Sequence, residues 1–330
     1  MRAFVAIALL CATAHAETHV IRIATVAPQG SSWAHEIELF GRAVENRSHG
    51  SVRLKFYFDA KAGNELEVKQ RIERGQLDGT GSGGMMCNEV APSMKVLRLT
   101  GLFQTAGEAS YVVGRLTPRF EKEAEARGYT LLALASLGGS TIFSRKPVKS
   151  IDQLRKVKLW RWESDEIGNA IATSMGFDVV PLPLEKAARA FDDGKVEAFY
   201  SIPTAALAFQ FYVQAPYILS LTGDFLYGCL VVRSGVLDEL GDSEREIIQS
   251  ESAKFAMRLA ELTRRQDAEL LDGGIFGRQG GKLLAVSSKF RADFNQATRQ
   301  AREQLDDRLV AKTLIKEVVT MLAEYRGERR

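Results

Sequence analysis

Strand–helix–strand text occurs twice in this chain of 330 residues, and no Pro- or Ser-rich linker separates the two blocks. In the first, His19 to Val26 is a strand with a β-branched run at Val20, Ile21 and Ile23, closed by the turn Ala27-Pro28-Gln29-Gly30. Ser31 or Ser32 can cap the helix that follows, which carries Ile37, Phe40 and Val44 on one face. Val52, Leu54, Phe56 and Phe58 then alternate with polar partners as a second strand. The later block runs Val157–Trp162 as strand, a helix capped by Ser164 with Ile167, Ile171 and Met175 inward, Phe177–Pro181 as strand, Leu184–Asp193 as helix, and Val196–Ser201 as strand. Each block needs its own two-sided packing, so the chain predicts an α/β protein of two lobes. Without a linker, it must pass between them as strands or helices, and such crossings make hinges.

The remaining text fits that plan. Glu65 to Arg74 and residues 107–127 read as helices, residues 77–86 as a Gly-rich crossing segment, and Leu131 to Ala135 as a buried strand. Strands are predicted near 216–221, 226–233 and 283–287, with two helices at the end of the chain. Residues 243–272 contain no Pro or Gly before Gly273, and at ~1.5 Å per residue such a helix can lie across both lobes. The expected division places 17–140 with about 226–255 in one lobe, and 141–225 with about 256–330 in the other.

The first residues are set apart from this fold. Arg2 precedes the small, apolar run Ala3–Ala12, and Ala14-His15-Ala16 has the small-x-small form of a secretory cleavage site, so residues 1–16 read as a signal peptide cut after Ala16. Cys11 follows bulky Leu10, which argues against lipidation. Residues 215–232 come nearest to a membrane span but are interrupted by Gly223 and Asp224. The predicted location is therefore the periplasm. The formal charge of +3, or +2 without Arg2, gives no reason to expect nucleic acid as a partner. Two cysteines remain after cleavage, Cys87 and Cys229, and are read as separate buried thiols.

Catalytic signatures are missing. His19, His35 and His49 are the histidines of the mature chain and show no H-x-x-x-H spacing, and there is neither C-x-x-C nor G-x-S-x-G. Gly79-Thr80-Gly81-Ser82-Gly83-Gly84 fits G-x-G-x-x-G by letter, but a helix and a short link precede it where a dinucleotide fingerprint needs a strand. Close backbone approach is the better reading of these glycines. No enzyme activity, cofactor or metal is expected. What the sequence does supply is aromatic surface. Trp160 and Trp162 alternate on one strand and share a face, with Arg161 on the other, while Tyr200 ends a second strand and Phe209, Phe211 and Tyr212 follow on the next helix. Strand ends in α/β lobes line ligand crevices.

Several segments, taken in order, resemble one family. Ile23-Ala24-Thr25 with Ala27-Pro28-x-Gly30-Ser31-Ser32-Trp33 is similar to the opening of DctP-type substrate-binding proteins of tripartite ATP-independent periplasmic (TRAP) transporters. Gly75-Gln76-Leu77-Asp78-Gly79, Ser144-Arg145-Lys146-Pro147-Val148-Lys149-Ser150, Val179-Val180-Pro181-Leu182-Pro183 and Gly194-Lys195-Val196-Glu197-Ala198 resemble later stretches of the same proteins. The resemblance covers nearly the whole mature chain. It implies a type II-like periplasmic-binding-protein fold, two α/β lobes joined by crossing strands and a long lobe-spanning helix. It further implies a small organic ligand held between the lobes and delivery to TRAP membrane subunits.

One departure bears on the ligand. Typical members carry a carboxylate-clamping arginine where this chain has Trp160, and an asparagine where it has Ser201. Trp160 in place of a bidentate cation predicts a flat apolar wall and a hydrophobic or aromatic ligand. This resembles a subset of the family with tryptophan at that position, some of which also pair with a tetratricopeptide-repeat protein, so such a protein is a candidate partner. Ser31, Ser32 and Trp33 at a helix start, Glu65 at another, and Met85 and Met86 are the first-lobe candidates for ligand contact. Trp160, Arg161, Trp162, Glu163, Tyr200, Ser201, Gln210 and Phe211 are those of the second lobe. Strand alternation should turn Arg161 away from Trp160's face, so that losing Trp160 weakens binding and losing Arg161 matters little. The alternatives are an organic acid clamped by Arg161, or a sensor or scaffold on the same fold that transports nothing.

Overall fold

The computed structural model describes residues 18–272 and 274–327, and the signal peptide expected over 1–16 lies outside them. The strands, in chain order, are β1 (His19–Thr25), β2 (Val52–Tyr57), β3 (Gly79–Ser82), β4 (Tyr129–Ser144), β5 (Lys158–Trp162), β6 (Asp178–Leu182), β7 (Ala198–Ser201), β8 (Tyr217–Leu219), β9 (Asp224–Arg233) and β10 (Lys282–Leu284). They form one sheet ordered β2-β1-β3-β9-β4-β7-β5-β6, with β8 beside β4 and β10 beside β8. β1 runs parallel to β2 and β3, and β5 runs parallel to β6 and β7, so each βαβ block of the sequence forms its own half-sheet.

β4 joins the halves. Its residues Tyr129–Ser140 pair antiparallel with β9, and Thr141–Ser144 pair with β7. The sequence predicts only Leu131–Ala135 as strand here. The backbone instead continues through a bulge between Ser136 and Gly138, with Gly138 at φ 108°, which glycine adopts readily.

Helix α1 (Ser32–Arg47) is capped by Ser31, whose Oγ accepts from the Ala34 N–H at 3.2 Å. Its buried Phe40 stacks on Phe255 of the long helix Asp242–Leu271, with ring centroids 5.3 Å apart. At ~1.5 Å per residue that helix is about 45 Å long. It packs on α1 and β4 and then reaches the helix Pro203–Ala208 of the second half, as its uninterrupted sequence predicts. The opposite face of the first half-sheet is covered by α2 (Glu65–Glu73), α3 (Met85–Val90) and α4 (Ala106–Glu125). The apolar core beneath them continues without a break into the second half, through Leu159, Ile167 and Ile171 to Phe290 and Phe294. The terminal helix Lys312–Gly327 packs on α4.

Three local expectations are corrected. Cys87 and Cys229 are not separate thiols but a disulfide, with Cα atoms 5.8 Å apart. β9 lies beside β3 with Cys229 opposite Ser82, and α3 begins three residues later and brings Cys87 back over it. Asp165, rather than Ser164, caps the helix Glu166–Ser174. Phe209, Phe211 and Tyr212 do not share a helix, because Gln210 takes a left-handed conformation (φ 58°) and starts a 3₁₀ turn over Phe211–Val213. Of the G-x-G-x-x-G glycines, Gly79 and Gly81 lie in the central strand β3, and a Cβ on Gly79 would collide with the Val231 carbonyl of β9, which is the close backbone approach expected there.

Candidate functional site

Three cavities lie at the junction of the half-sheets and share Val26, Trp162 and Phe209 as walls. Val26 follows β1, Trp162 ends β5 and Phe209 follows the helix Pro203–Ala208, so both halves contribute. The Trp162 indole lies against Gly83, just before α3, where a Cβ would sit 4.0 Å from Cζ3, so the second half touches the first at this point.

The first cavity, about 950 Å³, is lined almost wholly by apolar groups. From Ile202 and Ala205 it runs past Trp33 into the first half, as far as Phe40, Phe255 and Leu259. The Trp33 indole N–H is buried there without a partner in the protein. The second, about 1270 Å³, sets Glu65 and Met85 opposite Glu163 and Phe211. Glu65 is a buried carboxylate at the first residue of α2, hydrogen-bonded by Ser82 Oγ and by the Gly83 and Met85 N–H groups. Burial pushes its carboxyl up, and these donors offset part of that.

The third cavity, about 730 Å³, is polar at one end, where Arg98, Arg161, Asp165, Tyr200 and Ser201 line it. Arg98 Nη2 and Arg161 Nη2 each donate to Asp165 Oδ2 at 2.6 Å. Burial pushes the Asp165 carboxyl up, but the two guanidinium charges and their hydrogen bonds outweigh it and hold the group well below the usual carboxylate range. Arg161 stacks over Tyr200, 4.5 Å from the ring centroid. Burial, with the nearby Asp224 charge, drives the Tyr200 hydroxyl well above its usual value. Inside this cluster Arg98 Nη1 and Arg161 Nε have no hydrogen-bond partner within the protein, while Tyr200 Oη lies beside the buried Asp224 carboxylate. Buried polar groups are normally paired, so the cluster has donor capacity to spare.

The candidates from sequence separate into two sets. Trp33, Glu65, Met85, Trp160, Arg161, Trp162, Glu163, Tyr200, Ser201 and Phe211 line the three cavities. Ser31 is spent as a helix cap, Ser32 Oγ donates to Gln266 of the long helix, Met86 is in the core, and Gln210 is exposed. Trp160 and Arg161 do face opposite ways, as alternation requires. Trp160 packs edge-on to Phe211, 5.1 Å between centroids, in the second half's core, and its indole N–H donates to the Leu182 carbonyl at 3.1 Å. Yet alternation does not remove Arg161 from the junction, because the third cavity wraps the end of β5 and meets both residues. Arg98 was not foreseen. Its signal is an arginine set among Val96, Leu97 and Leu99. Among the described residues no cluster of three or more His, Cys, Asp or Glu could hold a metal ion, and no helix is long and apolar enough to cross a membrane.

Comparison with known proteins places these features in a family context. The profile of bacterial extracellular solute-binding protein family 7, DctP, matches residues 23–307. The 2,3-diketo-L-gulonate-binding periplasmic protein YiaO of Escherichia coli K12 is 22% identical over 237 residues, 71% of this chain and 72% of that protein. A solute-binding protein of Verminephrobacter eiseniae is 25% identical over 240 residues, 71% and 70% of the two chains. Among solved structures, the sugar acid binding protein DctPAm of Advenella mimigardefordensis, in complex with galactonate, superposes with a TM-score of 0.85 at 16% identity, covering 93% of this chain and 99% of that one. A TRAP periplasmic solute-binding protein of Haemophilus influenzae with bound L-gulonate superposes with a TM-score of 0.83 at 17% identity, covering 92% and 99%. The two-lobed α/β fold expected from sequence is the fold of these proteins.

Proposed function

Because the chain belongs to the DctP family of bacterial extracellular solute-binding proteins, we propose that it is the periplasmic receptor of a TRAP-type transporter, capturing a small organic solute by closure of two lobes and passing it to the membrane subunits. The observation that carries this reading is the meeting of three cavities at Val26, Trp162 and Phe209, between half-sheets joined through one strand. Crevices at strand ends of α/β sheets are where such folds take ligands. Trp33, Trp162, Met85 and Phe211 are the proposed apolar contacts, and Glu65, Arg161, Glu163, Tyr200 and Ser201 the polar ones. Trp160 forms the rear of the wall, and membership in the subset with tryptophan for arginine at that position is part of the proposal. A tetratricopeptide-repeat protein is the proposed accessory partner, to be sought by co-purification.

Lobe boundaries belong to the same proposal. Residues 17–140 with about 226–255 form one lobe and 141–225 with about 256–330 the other, except that packing of Lys312–Gly327 on α4 argues for giving this helix to the first.

A second reading has its own support. Arg98 and Arg161 bring two positive charges to one end of the third cavity, which favours an organic acid held there. The relatives' ligands, 2,3-diketo-L-gulonate, L-gulonate and galactonate, are acids of this general kind. The test is mass spectrometry of the small molecule released when freshly purified protein is denatured, with small-angle scattering of the protein before and after that molecule is restored. Recovery of a stoichiometric solute that compacts the envelope supports a receptor. An envelope indifferent to every solute offered, with a sensor ectodomain co-purifying in place of transport subunits, refutes it.

A further inference from the structure

Strand β4 and the long helix Asp242–Leu271 both pass from one half of the molecule to the other, and they touch where they do so. On the helix, Leu259 packs in the core of the first half and Leu270 in that of the second. Thr263 and Asp267 lie between them at helical spacing, on the face turned to β4. On β4, the bulge at Gly138 comes just before the strand exchanges β9 for β7 as its partner. A Cβ on Gly138 would collide with Asp267 Oδ2 and lie 3.2 Å from Thr263 Cγ2, so the place of the missing side chain is taken by the carboxyl of the helix. The Gly139 N–H donates to that carboxyl, while its Oδ1 is enclosed and has no partner within the protein.

Ionisation is costly in such a seat, because no cation reaches it. Residues 137–141 of β4, the loop 220–223 and the helix Pro203–Ala208 carry no ionisable side chain. On the long helix, Arg264 and Arg265 pair with Glu261, and Glu269 and Asp272 are exposed. At the start of α1, His35 is exposed and Glu36 pairs with Arg258. Asp224, opposite Ser140, acts on Arg98 and Tyr200, and Arg278 of the following short helix brings no charge to the carboxyl. Burial therefore raises Asp267 to about 7, with only the Gly139 N–H against it. An uncharged side chain would fill the same space without that penalty.

We infer that Asp267 is a proton-operated latch on the hinge: its neutral carboxyl holds β4 against the long helix with Trp162 resting on Gly83, and its ionisation drives the halves apart. This goes beyond the receptor reading and needs from it only that the halves move. Opening bends β4 at Gly138 and lets water reach the carboxyl, which then ionises near pH ~4. The closed form thus binds the proton more tightly, and opening releases it. The ratio of open to closed molecules should rise as pH goes from about 4 to 7 and level off above that.

The experiment measures the distance between two nitroxide labels by pulsed electron resonance. Leu66→Cys on α2 and Ala188→Cys on the helix Leu184–Asp192 place them at exposed sites on opposite walls of the second cavity. Cys87 and Cys229 are joined in a disulfide and take no label. The protein is freed of solute by unfolding and refolding without reductant. The ratio of long to short distances should rise at least about 10-fold from pH 5 to pH 8. With Asp267→Asn added, it should change by less than about twofold and stay with the short distance. Should that variant not fold, Asp267→Ser, smaller and equally uncharged, replaces it. Distances that do not respond to pH, or a response that survives in the uncharged variant, overturn the inference. If pH leaves the distances unmoved but the extract released by denaturing freshly purified native protein shortens them, the receptor reading stands without it. If neither pH nor the extract moves them, both fail.

Discussion

Arg98, in the turn of 3₁₀ helix that follows α3, reaches Asp165 at the end of β5 with 2.6 Å between Nη2 and Oδ2, and so ties together segments on either side of the strand crossing. Asp165 also caps the helix behind it and pairs Arg161. Asp165→Asn keeps the shape but leaves two buried guanidiniums facing a neutral amide. Removing one partner of a buried ionic group costs about 3–5 kcal/mol, and a loss in that range is expected by urea unfolding at pH 7. Because the folded-state carboxyl is held low, its contribution is present above pH ~4 and fades as pH falls below that, so native and variant stabilities should converge in strong acid.

Trp160 and Trp162 are expected to fail in different ways. Trp160→Ala opens the second half's core, where the indole meets Phe199 and Phe211, and should cost about 3–5 kcal/mol of stability. Trp162→Ala removes a wall common to all three cavities and should weaken ligand about 10- to 100-fold, with a much smaller change in thermal midpoint. Calorimetric binding and thermal unfolding of both variants separate the two effects. A Trp162→Ala protein that binds normally would contradict the site as described.

Reduction of Cys87–Cys229 should lower stability by about 2–5 kcal/mol, because the bond closes a long loop in the unfolded chain. Thiol titration of the denatured, unreduced mature protein should find no free thiol, and unfolding with and without reductant gives the difference.

Asp267 supplies a pH signature in the neutral range. It sits on the long helix against the Gly138-Gly139 bulge of β4, and burial, only partly offset by the Gly139 N–H, pushes its carboxyl up to about 7. In the unfolded chain it ionises near pH ~4. Between these values the unfolded state has released the proton and the native state has not, so stability should fall as pH rises from about 4 to 7 and level off above that. Asp267→Asn should abolish this decline and be more stable than the native chain at pH 8, by roughly 2–4 kcal/mol. Urea midpoints of both proteins at pH 5 and pH 8 test it.

Most of the architecture was legible because it rests on local periodicity. The alternation in β2, the stripe of Ile37, Phe40 and Val44, and the unbroken text of the long helix are each decided by residues a few positions apart. What was missed depends on partners far away. The Cys87–Cys229 bond needs β3 and β9 to be neighbours across 142 positions, and the continuation of β4 through Gly138-Gly139 needs β9 beside it. The site was half legible for the same reason. Alternation correctly separated Trp160 from Arg161, but only the wrapping of the third cavity around the end of β5 shows that both reach the junction. Arg98 could not be tied to Asp165 from sequence, because the two lie 67 positions apart.

The sharing of β4 has a further consequence. Neither half possesses a complete sheet without it, since the first half closes on Tyr129–Ser140 and the second on Thr141–Ser144 of the same strand. Cutting the chain between Ser140 and Thr141 would leave each fragment with a ragged edge of unpaired backbone groups. With one apolar core running beneath both halves, the molecule is expected to melt as a unit, in a single transition without a half-folded intermediate, although its work consists of moving one half against the other.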